Sequence, residues 1–277
     1  YFDHSYYGEH VESLVTLERV GARFRSENGF IGQVGHLRAG WSLGYRFGRW
    51  NWFSEVKPYL SLEENRAVPG GTVYRQVHPA LQLLGPSLGL VAELHLDKAR
   101  ADQGLVLHST PQVLLSGRWT PGPNLTFFQI DVEPGRRLDY ATNLSGPGLR
   151  VLTEVGLRVL RRTELSLKIN YERINHDMVG RLLYERNAQI IASHSLSSNS
   201  WARLIVQSVL SSRANLAVPS VTDESRRMVN SLVYAFEPWP SSSVSIGFST
   251  DVRNQNGGKS RINEAFLKVT YSAWRVL

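Results

Sequence analysis

Residues 36–47 have the sequence HLRAGWSLGYRF, in which two kinds of side chain alternate without exception. The apolar set is Leu37, Ala39, Trp41, Leu43, Tyr45 and Phe47, and the set of polar, basic or glycine residues is His36, Arg38, Gly40, Ser42, Gly44 and Arg46. A period of two predicts a β-strand, because successive side chains of a strand point to opposite faces. The stretch is longer than the roughly five or six residues of a common soluble strand. Its length approaches what a tilted strand needs to cross a bilayer.

The same alternation recurs along the chain. It is clear in residues 88–96 and in residues 163–172, where Leu165, Leu167, Ile169 and Tyr171 oppose polar neighbours. Residues 180–193 are more ambiguous, since their apolar positions also fit one face of a helix, and we predict a strand there. Counted along the whole chain, the pattern predicts about fourteen strands.

The connections between these strands differ in length. Short turns such as residues 85–87 and 161–162 alternate with longer polar segments such as residues 133–148, 211–226 and 251–263. Short turns on one side and long loops on the other are typical of bacterial outer-membrane barrels. We therefore predict an all-β fold, an antiparallel transmembrane β-barrel of about 14 strands spanning residues 11–277. Residues 1–10 are expected to form a periplasmic N-terminal segment, with short periplasmic turns and longer extracellular loops.

The composition excludes several other classes. No run approaches the ~18 consecutive apolar residues of a membrane helix. The chain has no cysteine, which excludes disulfides, thiolate metal sites and covalent haem attachment. The net charge of +7 raises the possibility of nucleic-acid binding, but 31 basic residues are interleaved with 24 acidic ones. We therefore expect no nucleic-acid partner. The chain begins at Tyr1, as expected either of a mature exported protein or of a piece of a longer one.

Most of the tryptophans fall at predicted strand ends on the side of the short turns. They are Trp50, Trp52, Trp119, Trp201, Trp239 and Trp274. Amphipathic rings collect where lipid headgroups meet hydrocarbon, so this placement predicts a periplasmic aromatic girdle. The alternative is that these aromatics pack the core of a soluble β-sandwich.

If the apolar face meets lipid, the opposite face lines the lumen. The candidates for that lining are Arg38, Arg46, Lys57, Glu93, Arg150, Glu154, Arg158, Lys168, Arg203 and Lys268. A modest basic excess would favour anions in a pore. Alternatively, the charges pair across strands and fill the interior. The basic residues of the predicted loops are candidates for contact with lipopolysaccharide phosphates, or are simply solvated: Arg136, Arg137, Arg253, Lys259 and Arg261.

Neither a metal site nor a catalytic site is predicted. His36, His78 and His95 could face the same lumen but have no compact ligand spacing, so we expect the histidines not to converge and no cofactor to bind. Residues 85–89, GPSLG, match the letters of the G-x-S-x-G nucleophile elbow. That elbow requires a helix after the serine, whereas a strand is predicted here, so the sequence favours a hairpin turn. An outer-membrane enzyme of the lipase type with Ser87 as nucleophile is the alternative.

Five short motifs resemble a known family. They are ENGFIG at residues 27–32, LGYRF at 43–47, VHPALQ at 77–82, LVYAF at 232–236 and FLKVTY at 266–271. Through them, residues 11–277 resemble the C-terminal outer-membrane barrel of a poorly characterised family. Longer members of that family carry an N-terminal module similar to family-nine carbohydrate-binding domains. The resemblance covers the barrel and not that module, so it implies no glycan binding and supplies no catalytic residues. The family pattern has a basic residue soon after Gly-Phe-Ile, where this chain has Gln33.

Together these observations predict a non-enzymatic barrel of the bacterial outer membrane. It would act as a channel, or as the membrane scaffold or sheath of a larger envelope complex. Its expected partners are outer-membrane lipid and lipopolysaccharide, and a protein in the lumen or periplasm. The alternatives are the lipase-type barrel enzyme and a soluble β-sandwich binding module.

Overall fold

The computed structural model describes residues 1–21, 35–68, 70–101, 106–214, 222–239, 242–255 and 258–271. These residues form one antiparallel sheet of fifteen strands, each hydrogen-bonded to the next in chain order. The strands are β1 Phe2–Tyr7, β2 Val11–Val20, β3 His36–Tyr45, β4 Glu55–Ala67, β5 Gly71–Leu84, β6 Leu88–Ala99, β7 His108–Trp119, β8 Leu125–Asp139, β9 Leu144–Leu160, β10 Thr163–His176, β11 Gly180–Ser197, β12 Ser200–Ala214, β13 Thr222–Trp239, β14 Ser242–Gln255 and β15 Gly258–Tyr271. None of the described residues forms a helix long and apolar enough to span a membrane.

The all-β antiparallel class predicted from the sequence is confirmed. The fourteen predicted strands correspond to β2–β15, and the ambiguous residues 180–193 lie in strand β11. Strand β1 is additional and pairs with β2, with Phe2 opposite Leu17 and Tyr7 opposite Glu12. It falls within the segment expected to precede the first strand. At six residues, all of them exposed, it has no clean apolar face that would identify it in the sequence.

Several strands extend into segments predicted as loops. Strands β8 and β9 leave only residues 140–143 between them, and β14 and β15 leave only residues 256–257. Strands β12 and β13 likewise leave residues 215–221. These extensions carry polar side chains on both faces, so apolar alternation cannot detect them. The predicted long loops are therefore mostly the ends of long hairpins.

The chain divides into two compact units. The first consists of Tyr1–Arg118, Asp131–Arg150 and Ile174–Leu182, and so contains strands β1–β6, most of β7 and parts of β8–β11. The second consists of Trp119–Ile130, Val151–Arg173 and Leu183–Leu277, and so contains the remaining parts of those strands and β12–β15.

In each unit the apolar face of the strands is exposed. In β3 of the first unit, Trp41 and Leu43 are 37% and 40% exposed. In the second unit, Leu232 and Leu267 are 55% and 69% exposed. Burying one such side chain contributes about 1.5–3 kcal/mol, so a row of them in water would be strongly unfavourable. The exposure contradicts the soluble β-sandwich alternative and suits a sheet whose apolar face is covered by lipid.

Candidate functional site

Strands β2–β6 of the first unit carry charged side chains on the face opposite the apolar one. The register places Arg38 of β3 opposite Glu18 of β2 and Asn65 of β4, and Glu93 of β6 opposite Ala80 of β5. The charged residues of this polar face are Glu12, Glu18, Arg38, Arg46, Glu55, Lys57, Glu63, Glu93 and Asp97. Carboxylates outnumber Lys and Arg on this part of the face, so the predicted basic excess is not found here.

One group of these charges is paired through Glu12. Its carboxylate accepts hydrogen bonds from Lys57 Nζ at 2.6 Å and from the Arg46 guanidinium. Arg46 Nε also lies 3.2 Å from Glu55 Oε2. Strands β2 and β4 and the residue that follows β3 thus meet in one alternating charge cluster. A cavity of about 250 Å³ lies beside it, with Glu12, Lys57 and Tyr59 in its lining.

A second pair joins β3 to β4. Arg38 Nη2 donates to Glu63 Oε2 at 2.9 Å, and the Tyr74 hydroxyl of β5 donates to the same carboxylate. Cross-strand pairs of this kind stabilise a sheet while leaving its charged groups in contact with water. For these residues, the structure favours the interpretation that the charges pair across strands.

Two of the histidines without a compact ligand spacing in the sequence, His78 and His95, are brought together on β5 and β6. The rings of His78 and His95 stack with centroids 4.0 Å apart and planes 13° from parallel. His78 Nδ1 lies 2.9 Å from Glu93 Oε1, and His78 Nε2 lies 2.7 Å from Asp97 Oδ1. The expectation that the histidines do not converge is therefore wrong.

The contact between His78 and His95 follows from the register of the β5–β6 hairpin. The tight turn at residues 85–87 pairs Leu84 with Gly89, and the same register continues to Arg75 opposite Lys98. Counting back from the turn places His78 opposite His95. The turn predicted at residues 85–87 would instead set Leu84 opposite Leu88 and His78 opposite Leu94, so the pairing of the two histidines depends on the observed register.

The remaining lumen candidates also lie on polar faces of their strands. In the first unit, Arg150 lies 3.4 Å from Glu133. In the second unit, Arg158 lies 3.0 Å from Glu164, and Lys168 lies 4.0 Å from Glu154. Also in the second unit, Arg203 donates to Ser193 Oγ at 3.2 Å, and Lys268 lies opposite Ser245.

Only some of the tryptophans lie where the predicted aromatic girdle requires them. Trp50 and Trp52 lie in the β3–β4 connection and are exposed, and Trp119 ends β7 and is exposed on the face of Leu115. Trp201 departs from the prediction, because its register opposite the buried Ala235 places it on the polar face.

The guanidinium of Arg203 lies 4.8 Å from the centre of the Trp201 ring, on the same face. A lipid-facing role for Trp201 is therefore wrong. The side chain of Trp239, at the end of β13, and the whole of Trp274 lie outside the described residues.

The basic residues assigned to loops lie instead on strands. Arg136 and Arg137 are in β8, Arg253 is in β14, and Lys259 and Arg261 are in β15. Arg137 donates to Glu133 at 2.9 Å. Arg253 donates to Asp251 at 2.8 Å. These two guanidiniums are held by acidic partners of the chain itself.

Two serines bear on the enzyme alternative. Ser87 lies in the β5–β6 turn and a strand follows it, so the predicted hairpin is confirmed and the strand–helix context of a nucleophile elbow is not met.

Ser145 Oγ lies 3.2 Å from His108 Nδ1 in the first unit. The side-chain oxygen of Asn143 accepts a hydrogen bond from the Ala101 amide. The side-chain NH2 group of Asn143 therefore faces His108 Nε2, at 3.4 Å, and donates to it. Because Nε2 accepts this hydrogen bond, the proton of the neutral imidazole lies on Nδ1. The nitrogen that faces Ser145 is then a donor and cannot take the serine proton as a general base does.

An antiparallel sheet in chain order, with an exposed apolar face and a charge-paired polar face, defines the fold class of the outer-membrane β-barrels. No protein-family model and no curated protein matches the sequence. Among solved structures, the outer membrane channel DcaP of Acinetobacter baumannii is similar, with a TM-score of 0.54 and 9% sequence identity. The match covers 95% of this chain and 94% of that one. The similarity shows the fold, which is that of an antiparallel transmembrane β-barrel.

Proposed function

We propose that this chain is a non-enzymatic channel of the bacterial outer membrane, whose polar face lines an aqueous path. The observation that carries the proposal is the separation of two faces on the same strands. In β3, Trp41 and Leu43 lie on the exposed apolar face, while Arg38 and Ser42 lie on the polar face. Lipid and lipopolysaccharide would surround the apolar face.

Two further observations support a channel. The polar face keeps most of its described charges in pairs that remain partly exposed, as in Arg38 with Glu63 at 44% and 17% side-chain exposure. Partly hydrated pairs suit a wall in contact with water. The similar fold of a channel over nearly the whole chain agrees with this function. Membership of the family that the sequence motifs resemble is part of the same proposal.

The test is single-channel recording with the purified protein in a planar lipid bilayer. We expect discrete conductance steps. Ser42→Trp would place a large side chain beside the cavity near Glu12 and Lys57, and should lower the step size. Leu37→Trp is the control, because it introduces the same residue on the exposed apolar face of the same strand, outside the lining of that cavity.

An electrically silent bilayer with correctly folded protein would contradict the channel and favour the scaffold role. Equal conductance loss in Ser42→Trp and Leu37→Trp would contradict the assignment of the two faces.

A further inference from the structure

We propose that His78, His95 and Glu93 form a binding site for a divalent transition-metal ion, with Zn²⁺ as the reference ion. The site lies on the polar face of the β5–β6 hairpin. One ligand atom from each of the three residues can be chosen so that all lie within 4.8 Å of one another. Two imidazoles and a carboxylate form a donor set that binds Zn²⁺ in proteins and leaves one position open.

Two of the three distances between ligand atoms suit a tetrahedral ion. Bonds of roughly 2.0–2.1 Å place the ligand atoms of a tetrahedral site about 3.3 Å from one another. Glu93 Oε1 lies 2.9 Å from His78 Nδ1 and 3.2 Å from His95 Nε2. The carboxylate oxygen is therefore already placed between the two ring nitrogens, and rotation of one of the two stacked rings would direct both nitrogens at one ion.

His95 supplies an independent observation. Its Nε2 atom is buried and has no hydrogen-bond partner, although it lies close to the Glu93 carboxylate. The short approach thus lacks the geometry of a hydrogen bond. A buried polar atom without a partner is costly, and a metal ion at this point would satisfy it.

Neighbouring residues hold two of the ligands in position. The imidazole of His78 bonds through Nε2 to Asp97 at 2.7 Å, which leaves Nδ1 directed at Glu93. The Tyr59 hydroxyl donates to Glu93 Oε2 at 2.8 Å and leaves Oε1 for the ion. A carboxylate on the far nitrogen of a ligating histidine is the usual support in zinc sites.

The side chains of the proposed metal site are partly exposed to solvent and packed against their neighbours. The side chains of His78, Glu93, Asp97 and His95 are between 13% and 17% exposed. A dissolved ion can reach the cluster from the polar face, while packing limits the motion of the ligands. The proposal depends only on this hairpin and stands apart from the channel proposal.

The test is Zn²⁺ binding to the purified, tag-free protein in detergent, after treatment with a chelator. We expect one Zn²⁺ per chain by isothermal titration calorimetry and by metal analysis after dialysis. His95→Ala and Glu93→Gln should each weaken binding more than tenfold. Asp97→Asn, which changes only the support of His78, should weaken it by about 10–100-fold. His194→Ala is the control, since it removes an exposed histidine in β11, and it should bind as the unaltered protein does.

A substitution that prevents folding would be recognised by its circular dichroism, and the Asp97→Asn variant then carries the test. Co²⁺ in place of Zn²⁺ should give the strong visible absorption of a tetrahedral site. The proposal is overturned by the absence of saturable Zn²⁺ binding, or by binding that His95→Ala, Glu93→Gln and Asp97→Asn leave unchanged. Because no bilayer is involved, this result is independent of any conductance measurement.

Discussion

The ring of Phe266 in β15 lies over Gly247, the residue directly opposite it in β14. A methyl group built at Gly247 would overlap the ring. An aromatic side chain that covers a cross-strand glycine protects the backbone of a sheet where no side chain is present. This pair belongs to the face that carries Ser245 and Lys268, opposite to that of the exposed Leu267.

Gly247→Ala should destabilise the protein. The ring of Phe266 would have to turn away from the glycine, and loss of such a cross-strand contact typically costs about 0.2–1 kcal/mol. The measurement is the urea midpoint of unfolding in detergent. Gly40→Ala is the control, because the nearest atom to a methyl group there is at 3.8 Å, an ordinary contact. A loss of stability in Gly40→Ala equal to that in Gly247→Ala would show that the Phe266 ring is not responsible.

Leu232→Arg should impair insertion into lipid. Leu232 is 55% exposed near the middle of β13, and an arginine on the lipid face of a barrel costs about 2–4 kcal/mol at the bilayer midplane. Folding into lipid vesicles, followed by the heat-dependent mobility shift on gels, measures the effect. Ser231→Arg is the matched control on the opposite face and should fold much more efficiently. Similar folding yields for the two variants would contradict a lipid-facing Leu232.

Glu12→Gln should shift ion selectivity toward anions. The carboxylate of Glu12 holds both Lys57 and Arg46, so its loss leaves two cations beside the cavity without that partner. The reversal potential in a salt gradient across a bilayer measures the shift, and the free energy of unfolding should fall by about 1 kcal/mol. Glu9→Gln removes the same charge from a side chain that is 90% exposed and should change neither quantity. An unchanged reversal potential in Glu12→Gln would place this cluster away from the ion path.

The sequence predicted the strands well wherever one face is apolar. Leu37 to Phe47 and Leu165 to Tyr171 alternate because one face meets an apolar medium, and that requirement is visible in the order of residues alone. The alternation fails in the hairpin ends of β8, β14 and β15, where both faces are polar. It also fails for β1, which is short and exposed.

The candidate site was less predictable, because its contacts depend on register. A residue's face follows from alternation, but its partner follows from the pairing of two strands. Trp201 was assigned to the wrong face for this reason, since its position at a strand end does not fix its direction. The contact between His78 and His95 likewise follows from the register of the β5–β6 hairpin.

On our interpretation, one face of each strand meets lipid and the other meets water. The chain has no cysteine, so single cysteines at Trp41, Ser42 and Leu43 can each carry one bimane label in reconstituted vesicles. We expect brominated phospholipids to quench the label at positions 41 and 43, and aqueous iodide to quench it at position 42. Labels at 41 and 43 that neither agent quenches would reveal a dry protein core behind the apolar face and would contradict a lipid-facing apolar face.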